Sequence, residues 1–266
     1  MLDAFSRTEL LLGREAMEKL AAAKVAIFGI GGVGAYAAEG LARSGVGSFI
    51  LVDDDSICLT NINRQIIALR STVGKPKVEV MKARILDINP EAKVEIFQEC
   101  CGPESAPRLL GQNLAGCAGV PGGLGISYIV DAIDTVSAKL DLIERAKAMG
   151  IPIISCMGAG NKLDPTRLEV ADIYETSVCP LARVMRAELR KRGIAALEVV
   201  YSKEIPIKVN EAENPCRSGC VCPKKDRTCL GRRSVPGSVS FVPSVAGLII
   251  ASRVVRNLVG DLAAGA

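Results

Sequence analysis

Histidine is absent from all 266 residues. That removes the side chain most often used as a general base near neutral pH. Ser-His-Asp hydrolysis, Cys-His proteolysis and His-ligated metal centres are excluded with it. Tryptophan is also absent and aromatics make up only 3% of the chain, so stacking on aromatic platforms is a poor route to nucleic-acid binding. The first residues, MLDAFSRTEL, lack a basic segment followed by an apolar one, and no signal peptide is expected. Long uninterrupted apolar runs are missing too. The most apolar late segment, 243–259, carries Arg253 and Arg256 and reads as a docked helix with no membrane span. A cytoplasmic location is expected. There, ten cysteines serve as buried hydrophobes, metal ligands or reactive thiols sooner than as disulfides.

The chemistry must therefore run on Asp, Glu, Lys, Arg, Cys and backbone groups. Nearly half the residues are hydrophobic (49%), and the net charge is +4, which permits a polyanionic partner without requiring one. The segment 24–53, KVAIFGIGGVGAYAAEGLARSGVGSFILVD, reads as strand, glycine turn, helix, strand and acid. Gly29, Gly31, Gly32 and Gly34 let the backbone turn tightly and approach phosphates at a helix N-terminus. Asp53 stands where an acid accepts from a ribose hydroxyl. Alone, this layout suggests a dehydrogenase.

Periodicity extends the pattern. Helices are expected over 8–23, 32–44, 76–88, 104–114, 137–149 and 181–192, and a final one after a strand at 238–242. Strands are expected near 25–29, 49–53, 94–97, 128–133, 152–157, 167–173 and 197–202. The prediction is an α/β fold: a Rossmann-like, mostly parallel sheet with helices on both faces, extended by a C-terminal strand and a long crossover loop over 206–238.

The residues after Asp53 point away from a dehydrogenase. Asp55 follows the strand, Asn61 and Arg64 lie in TNINRQ, and Lys77 opens the next helix from VGKPK. Hydride transfer has no general need of this cluster, whereas cations and amide donors offset charge on a triphosphate as pyrophosphate leaves. In VDAIDTVSAK, Asp131 and Asp134 stand at the carboxyl end of a strand. Asp134 is the candidate Mg²⁺ ligand, with a helix N-cap as its other reading, a role Ser137 could take instead.

GIGGVG, DDD, TNINRQ, VGKPK and AIDT, in that order over residues 5 to 160, resemble the ubiquitin-activating-type adenylyltransferases of molybdopterin and thiamine synthesis. The runs MGAGNKLDPTRLEVADIYETSVCPLA and SVPGSVSFVPSVAGLIIA look like one branch, the tRNA threonylcarbamoyladenosine dehydratases. The resemblance implies a single domain over 1–266, with an ATP-binding half (1–160) and an acceptor-binding half (161–266). It implies adenylation of the free carboxylate of threonylcarbamoyladenosine in tRNA, then ring closure with net loss of water and release of AMP and pyrophosphate. Activation of the C-terminus of a ubiquitin-like sulfur carrier is the alternative within the family, and a nucleotide-responsive scaffold for a sulfur-transfer partner is one outside catalysis.

By matching motif, the resemblance puts Gly32 against the nucleotide and Asp53 on the ribose. Asn61, Arg64 and Lys77 face the phosphates, and Asp134 holds Mg²⁺. Arg7, in FSRTE, matches an arginine that relatives donate across a homodimer. Cys179 is a carrier thiol or a buried structural residue, and direct ring closure makes a carrier unnecessary. Cys216, Cys220, Cys222 and Cys229, spaced C-x3-C-x-C-x6-C, could bind Zn²⁺ or an iron–sulfur cluster or remain free thiols; the spacing departs from the paired CxxC of the relatives. Arg183, Arg186 and Arg190 share a helix face with Lys191 and Arg192 adjacent, and Arg232 and Arg233 follow the cysteines. These are candidate tRNA phosphate contacts or a solvated face.

Overall fold

The computed structural model describes residues 3–111, 124–209 and 236–260. Seven strands are seen: β1 (Lys24–Phe28), β2 (Ser48–Val52), β3 (Lys93–Phe97), β4 (Tyr128–Asp131), β5 (Ile153–Cys156), β6 (Leu168–Asp172) and β7 (Glu198–Ser202). They form one sheet in the order β3-β2-β1-β4-β5-β7-β6, parallel except for the β6–β7 pair. The helices are α1 (Ser6–Leu12), α2 (Arg14–Ala22), α3 (Gly34–Arg43), α4 (Lys77–Ile88), α5 (Ala106–Leu109), α6 (Val136–Ala148), α7 (Pro180–Lys191) and α8 (Phe241–Val259).

Alternation along the strands builds two cores. Val25 and Ile27 of β1 face one side, with α2, α3, α4 and α8; Ala26 and Phe28 face the other, with α5, α6 and α7. After β3 the chain crosses back to place β4 on the free side of β1. The carboxyl ends of β1 and β4 therefore flank the point where strand order reverses, the place where open α/β sheets bind ligands.

The helix expected over 8–23 is two helices. Gly13, at φ +83° and ψ 163°, occupies a conformation that a side chain would not tolerate, and the chain turns there. The strand expected over 128–133 ends at Asp131, so Asp134 lies on a loop three residues beyond the sheet. The strand expected over 238–242 is absent, and α8 starts at Phe241. Pro243 favours extended backbone before it. Here, however, it sits in the first helical turn, where its missing N–H loses no intrahelical bond. Val242, Ala246, Ile250, Val254 and Val255 then recur at helical spacing and are buried.

Helix α8 is long and apolar enough to cross a membrane by length and composition alone, yet half of it is buried within the protein. Its main neighbour is α3. A Cβ at Gly40 would lie 2.7 Å from the Cβ of Ala251; one at Gly247 would lie 2.8 Å from the Cβ of Tyr36 and 2.9 Å from the amide nitrogen of Ala37. Small residues on both helices thus set a close crossing that ties the C-terminal helix to the one following the glycine turn. Glu39 of α3, 6% exposed, adds a polar tie: Arg84 of α4 donates to it twice, at 2.5 and 3.0 Å. Burial works against this carboxylate, but Arg84 and Arg43 outweigh it and hold Glu39 below its usual range.

Substituting Gly247 with Ala is expected to cost about 1–3 kcal/mol, because the added methyl meets the backbone of Val33 and Ala37, which cannot rotate away. Denaturant unfolding measures this, and a variant as stable as the parent would show that the crossing has slack.

Candidate active site

Gly29 follows β1 at φ +89°, and a Cβ there would lie 2.6 Å from the carbonyl oxygen of Ala132, just past β4. A Cβ at Gly34 would collide with the carbonyl oxygen of Gly29 itself. These two glycines let the turn, the first turn of α3 and the end of β4 meet. Gly31 and Gly32 have a different setting. Around Gly31 the nearest neighbour to a Cβ is Gln65 Nε2 at 3.8 Å; around Gly32 they are Pro243 and Arg64 Cγ, at 3.2 and 3.6 Å. Backbone is thus left approachable at Gly31, whereas Pro243 crowds Gly32.

Asp53 fastens this turn. Its Oδ2 accepts from the Ile30 N–H at 2.7 Å and its Oδ1 from the Asp55 N–H at 2.8 Å. Lys77 Nζ stands 3.4 Å from Asp53 Oδ1 and 2.8 Å from Asp55 Oδ2. The Asp53 and Lys77 side chains are 8% and 7% exposed. Burial pushes the Asp53 carboxyl up, opposed mainly by Lys77. Burial alone would lower Lys77, but Asp53 and Asp55 hold it above its usual value, so it is a cation at neutral pH.

The segment between β2 and α4 closes on itself. Ile57 N–H donates to Lys75 O at 2.9 Å and Lys77 N–H to Asp55 O at 3.1 Å. Asn61 and Arg64 lie within this closed segment. Asn61 Oδ1 accepts from the Cys58 N–H at 3.0 Å. Arg64 Nη1 donates to Thr60 O at 2.9 Å and to Asn63 Oδ1 at 3.0 Å, with its stem over Gly32. Gln65, 7% exposed, was not singled out in the sequence although it belongs to TNINRQ. Its Oε1 is buried without a hydrogen-bond partner. The other end of the same amide, Nε2, is the atom that faces Gly31.

Asp134 is exposed on the loop after β4 and accepts from Thr135 Oγ1 at 3.3 Å. Thr135 holds the N-cap position of α6, without a side-chain cap bond, so neither Asp134 nor Ser137 caps the helix. A buried network beneath the loop was also missed from sequence. Lys139 and Asp131 are both fully buried and pair at 2.9 Å. Lys139 Nζ also donates to Ile133 O at 3.2 Å and Cys156 O at 2.9 Å. Asp131 accepts from Ser155 Oγ at 2.6 Å and from the Ile133 N–H at 3.1 Å. Each ammonium proton has a partner, and the residue before Asp134 is gripped at both its N–H and its C=O. The spacing of VDAIDTVSAK placed Asp131 at the strand end; nothing in it announced a buried lysine.

The carboxylates of Asp53, Asp54 and Asp55 also cluster closely enough to hold an ion. Lys77 already lies against two of them, so a second cation there would meet an ammonium.

Of the remaining candidates, Arg7 is exposed on α1, beside Leu10 and Leu11, which are 88% and 77% exposed. Cys179 is 1% exposed, just before α7, as the structural reading expects. Burial pushes the neighbouring Cys156 thiol up to about 12, which makes it inert. Arg183 is exposed, but Arg186 donates to the carbonyl and hydroxyl of Thr176 and Arg190 lies 5.1 Å over the Tyr174 ring. Two of the three arginines thus have structural work within the chain. Cys216, Cys220, Cys222, Cys229, Arg232 and Arg233 lie outside the described residues.

Comparison with known proteins fits this geometry. The ThiF family model matches residues 5–265. The chain is 43% identical over 263 residues to the tRNA threonylcarbamoyladenosine dehydratase of Bacillus subtilis, covering 98% of this chain and 97% of that one. It is 34% identical over 272 residues to the Escherichia coli protein of the same name, covering 97% and 94%. The crystal structure of the E. coli dehydratase in complex with ATP superposes with a TM-score of 0.79 at 31% identity, over 96% of that chain and 98% of this one.

Lys77→Met leaves the buried Asp53 carboxylate without its counter-charge, and is expected to cost about 3 kcal/mol of stability and to weaken nucleotide binding. Unfolding and ATP titration measure the two effects. Wild-type values in both would remove Lys77 from the site.

Proposed function

The chain belongs to the ThiF family, and from that premise we propose that it is an ATP-dependent tRNA threonylcarbamoyladenosine dehydratase. It adenylates the free carboxylate of threonylcarbamoyladenosine in tRNA, with pyrophosphate leaving. A nitrogen of the same modified side chain then displaces AMP and closes a ring. The net change is loss of one water. The observation that carries this reading is near-full-length similarity to dehydratases in a chain whose glycine turn, Asp53–Lys77 pair and Arg64 converge at the sheet's switch point.

A carboxylate is already an anionic nucleophile at neutral pH, so a chain without histidine loses nothing in the first step. That step requires positioning and charge neutralisation at phosphorus. In this reading the glycine turn at Gly31 and Gly32 receives the phosphates and Asp53, already bound to the turn, takes the ribose. Asn61, Arg64 and Lys77 offset charge on the phosphates as pyrophosphate departs. Asp134 holds Mg²⁺, which when bound supplies further neutralisation of phosphate charge. Lys139, by gripping Ile133 and Asp131, keeps the Asp134 loop in register with the glycine turn.

The working unit is a homodimer in which Arg7 reaches the partner's site. Helix α1 buries none of its own residues and leaves Leu10 and Leu11 exposed, as a helix docking on a second copy would. Arg183 is the most available of the α7 arginines for a tRNA phosphate, since Arg186 and Arg190 are engaged.

Incubation with ATP, Mg²⁺ and tRNA bearing threonylcarbamoyladenosine is expected to yield AMP and a nucleoside lighter by one water in mass spectrometry. AMP formed only with a sulfur-carrier protein would transfer the reading to the family's other acceptor. Asp134→Ala is expected to lower Mg²⁺-dependent AMP formation by about 100-fold or more while melting like the parent. Undiminished turnover would take the metal-ligand role from Asp134.

A further inference from the structure

Three lysines are buried among the described residues: Lys77, Lys139 and Lys162. A buried ammonium is costly unless it is paired and hydrogen-bonded. Lys77 is paired with Asp53 and Asp55, and Lys139 with Asp131. Lys162, 3% exposed, has no carboxylate partner among the described residues. Its Nζ donates to the carbonyl oxygens of Gly158 at 2.7 Å and Gly160 at 3.5 Å. Two neutral carbonyls satisfy protons, and the described residues supply no counter-charge.

The place of this charge matters. Gly158 comes two residues after the end of β5, whose last carbonyl is held by Lys139 together with the Asp134 loop. The Lys162 loop is also fixed from its other side. Asn161 exchanges hydrogen bonds with Gly237, at 2.6 and 2.8 Å, and Asn63, next to Arg64, donates to Ser238 O at 2.9 Å. Lys162 thus stands at the carboxyl edge of the sheet on the β5 side. Arg64 and Lys77, the cations suited to phosphates, come from the β2 side. An adenylating site needs one more anion beyond the phosphates, the acceptor.

We propose that Lys162 is the counter-charge for the acceptor carboxylate, holding it as it approaches the nucleotide. The inference rests on the reading given under Proposed function. An ammonium with no counter-charge among the described residues becomes paired when the acceptor enters, so the binding energy falls on the acceptor and not on ATP.

Steady-state AMP formation with ATP and tRNA bearing threonylcarbamoyladenosine tests this in wild type, Lys162→Met and Lys162→Gln. Both variants are expected to lose about 30-fold or more in kcat/KM for the tRNA, with KM for ATP within about twofold of wild type. Lys162→Met is expected to melt at or above the wild-type temperature, since a buried charge is removed. If Met does not fold, Gln, which keeps a donor for Gly158 without the charge, decides alone. Wild-type tRNA kinetics in the folded variants would overturn the inference. So would a loss confined to ATP, which would make Lys162 a phosphate ligand, and so would equal losses for ATP and tRNA, which would make it structural. Wild-type enzyme that forms no AMP with this tRNA would overturn the reading and the inference together.

Discussion

The site depends on a close approach of backbones where strand order reverses. At Gly29 the chain leaving β1 passes so near the carbonyl of Ala132 that a side chain has no room, and Gly34 brings the start of α3 onto the same turn. The Ala132 N–H donates to Phe28 O at 2.8 Å and ties the two segments just beside this approach. The approach is permitted by missing Cβ atoms and enforced by what packs around it. Helix α8 lies across α3 through Gly40, Gly247 and Ala251, so the C-terminal helix presses the glycine turn toward the end of β4. The glycine turn and the hydrophobic core therefore share the packing of α3.

Polar burial supplies the rest of the rigidity. Asp53 binds the turn at Ile30 and the next loop at Asp55, and Lys77 balances its charge. Lys139 performs the parallel service on the other side of the switch point, joining the ends of β4 and β5 to the loop that carries Asp134. Such pairs contribute little net stability once desolvation is counted. Their effect is positional: each has its hydrogen bonds filled by groups on different segments, so a shift of any one segment breaks several bonds at once. A site that must neutralise charge at phosphorus without reorganising benefits from that arrangement.

Strands, helices and their mostly parallel order were readable because apolar runs of four or five residues alternate with helical periods, and glycines mark the turns. The nucleotide turn was readable for the same reason: its chemistry is local. The helix expected over 104–114 is only Ala106–Leu109 among the described residues, and three further local features misled. Gly13 splits what periodicity joined, β4 stops before its apolar residues do, and the run before Pro243 reads as extended although the α3–α8 contact makes it helical. The candidate site was legible as a set of residue types in motifs. What was not legible were partners from distant segments. Nothing near Lys139 in sequence announces Cys156 as its partner, Asp53 looks like a ribose acid without revealing that it holds Ile30, and Arg186 looks like a surface cation until it is seen on Thr176.

The missing histidines take on meaning in this setting. A chain that had to deprotonate a hydroxyl or a water would need a titratable base at the carboxyl edge of its sheet. Among the described residues this edge instead offers cations, amides and carboxylates that are already committed to partners, with Asp134 at its exposed end. Such an edge can bring two anions together, but it is poorly equipped to create a nucleophile. The proposed acceptor supplies its own nucleophile as a carboxylate and its own second nucleophile for ring closure. The protein's task is then to screen repulsion between that carboxylate and a triphosphate, which is work that lysines and arginines can do.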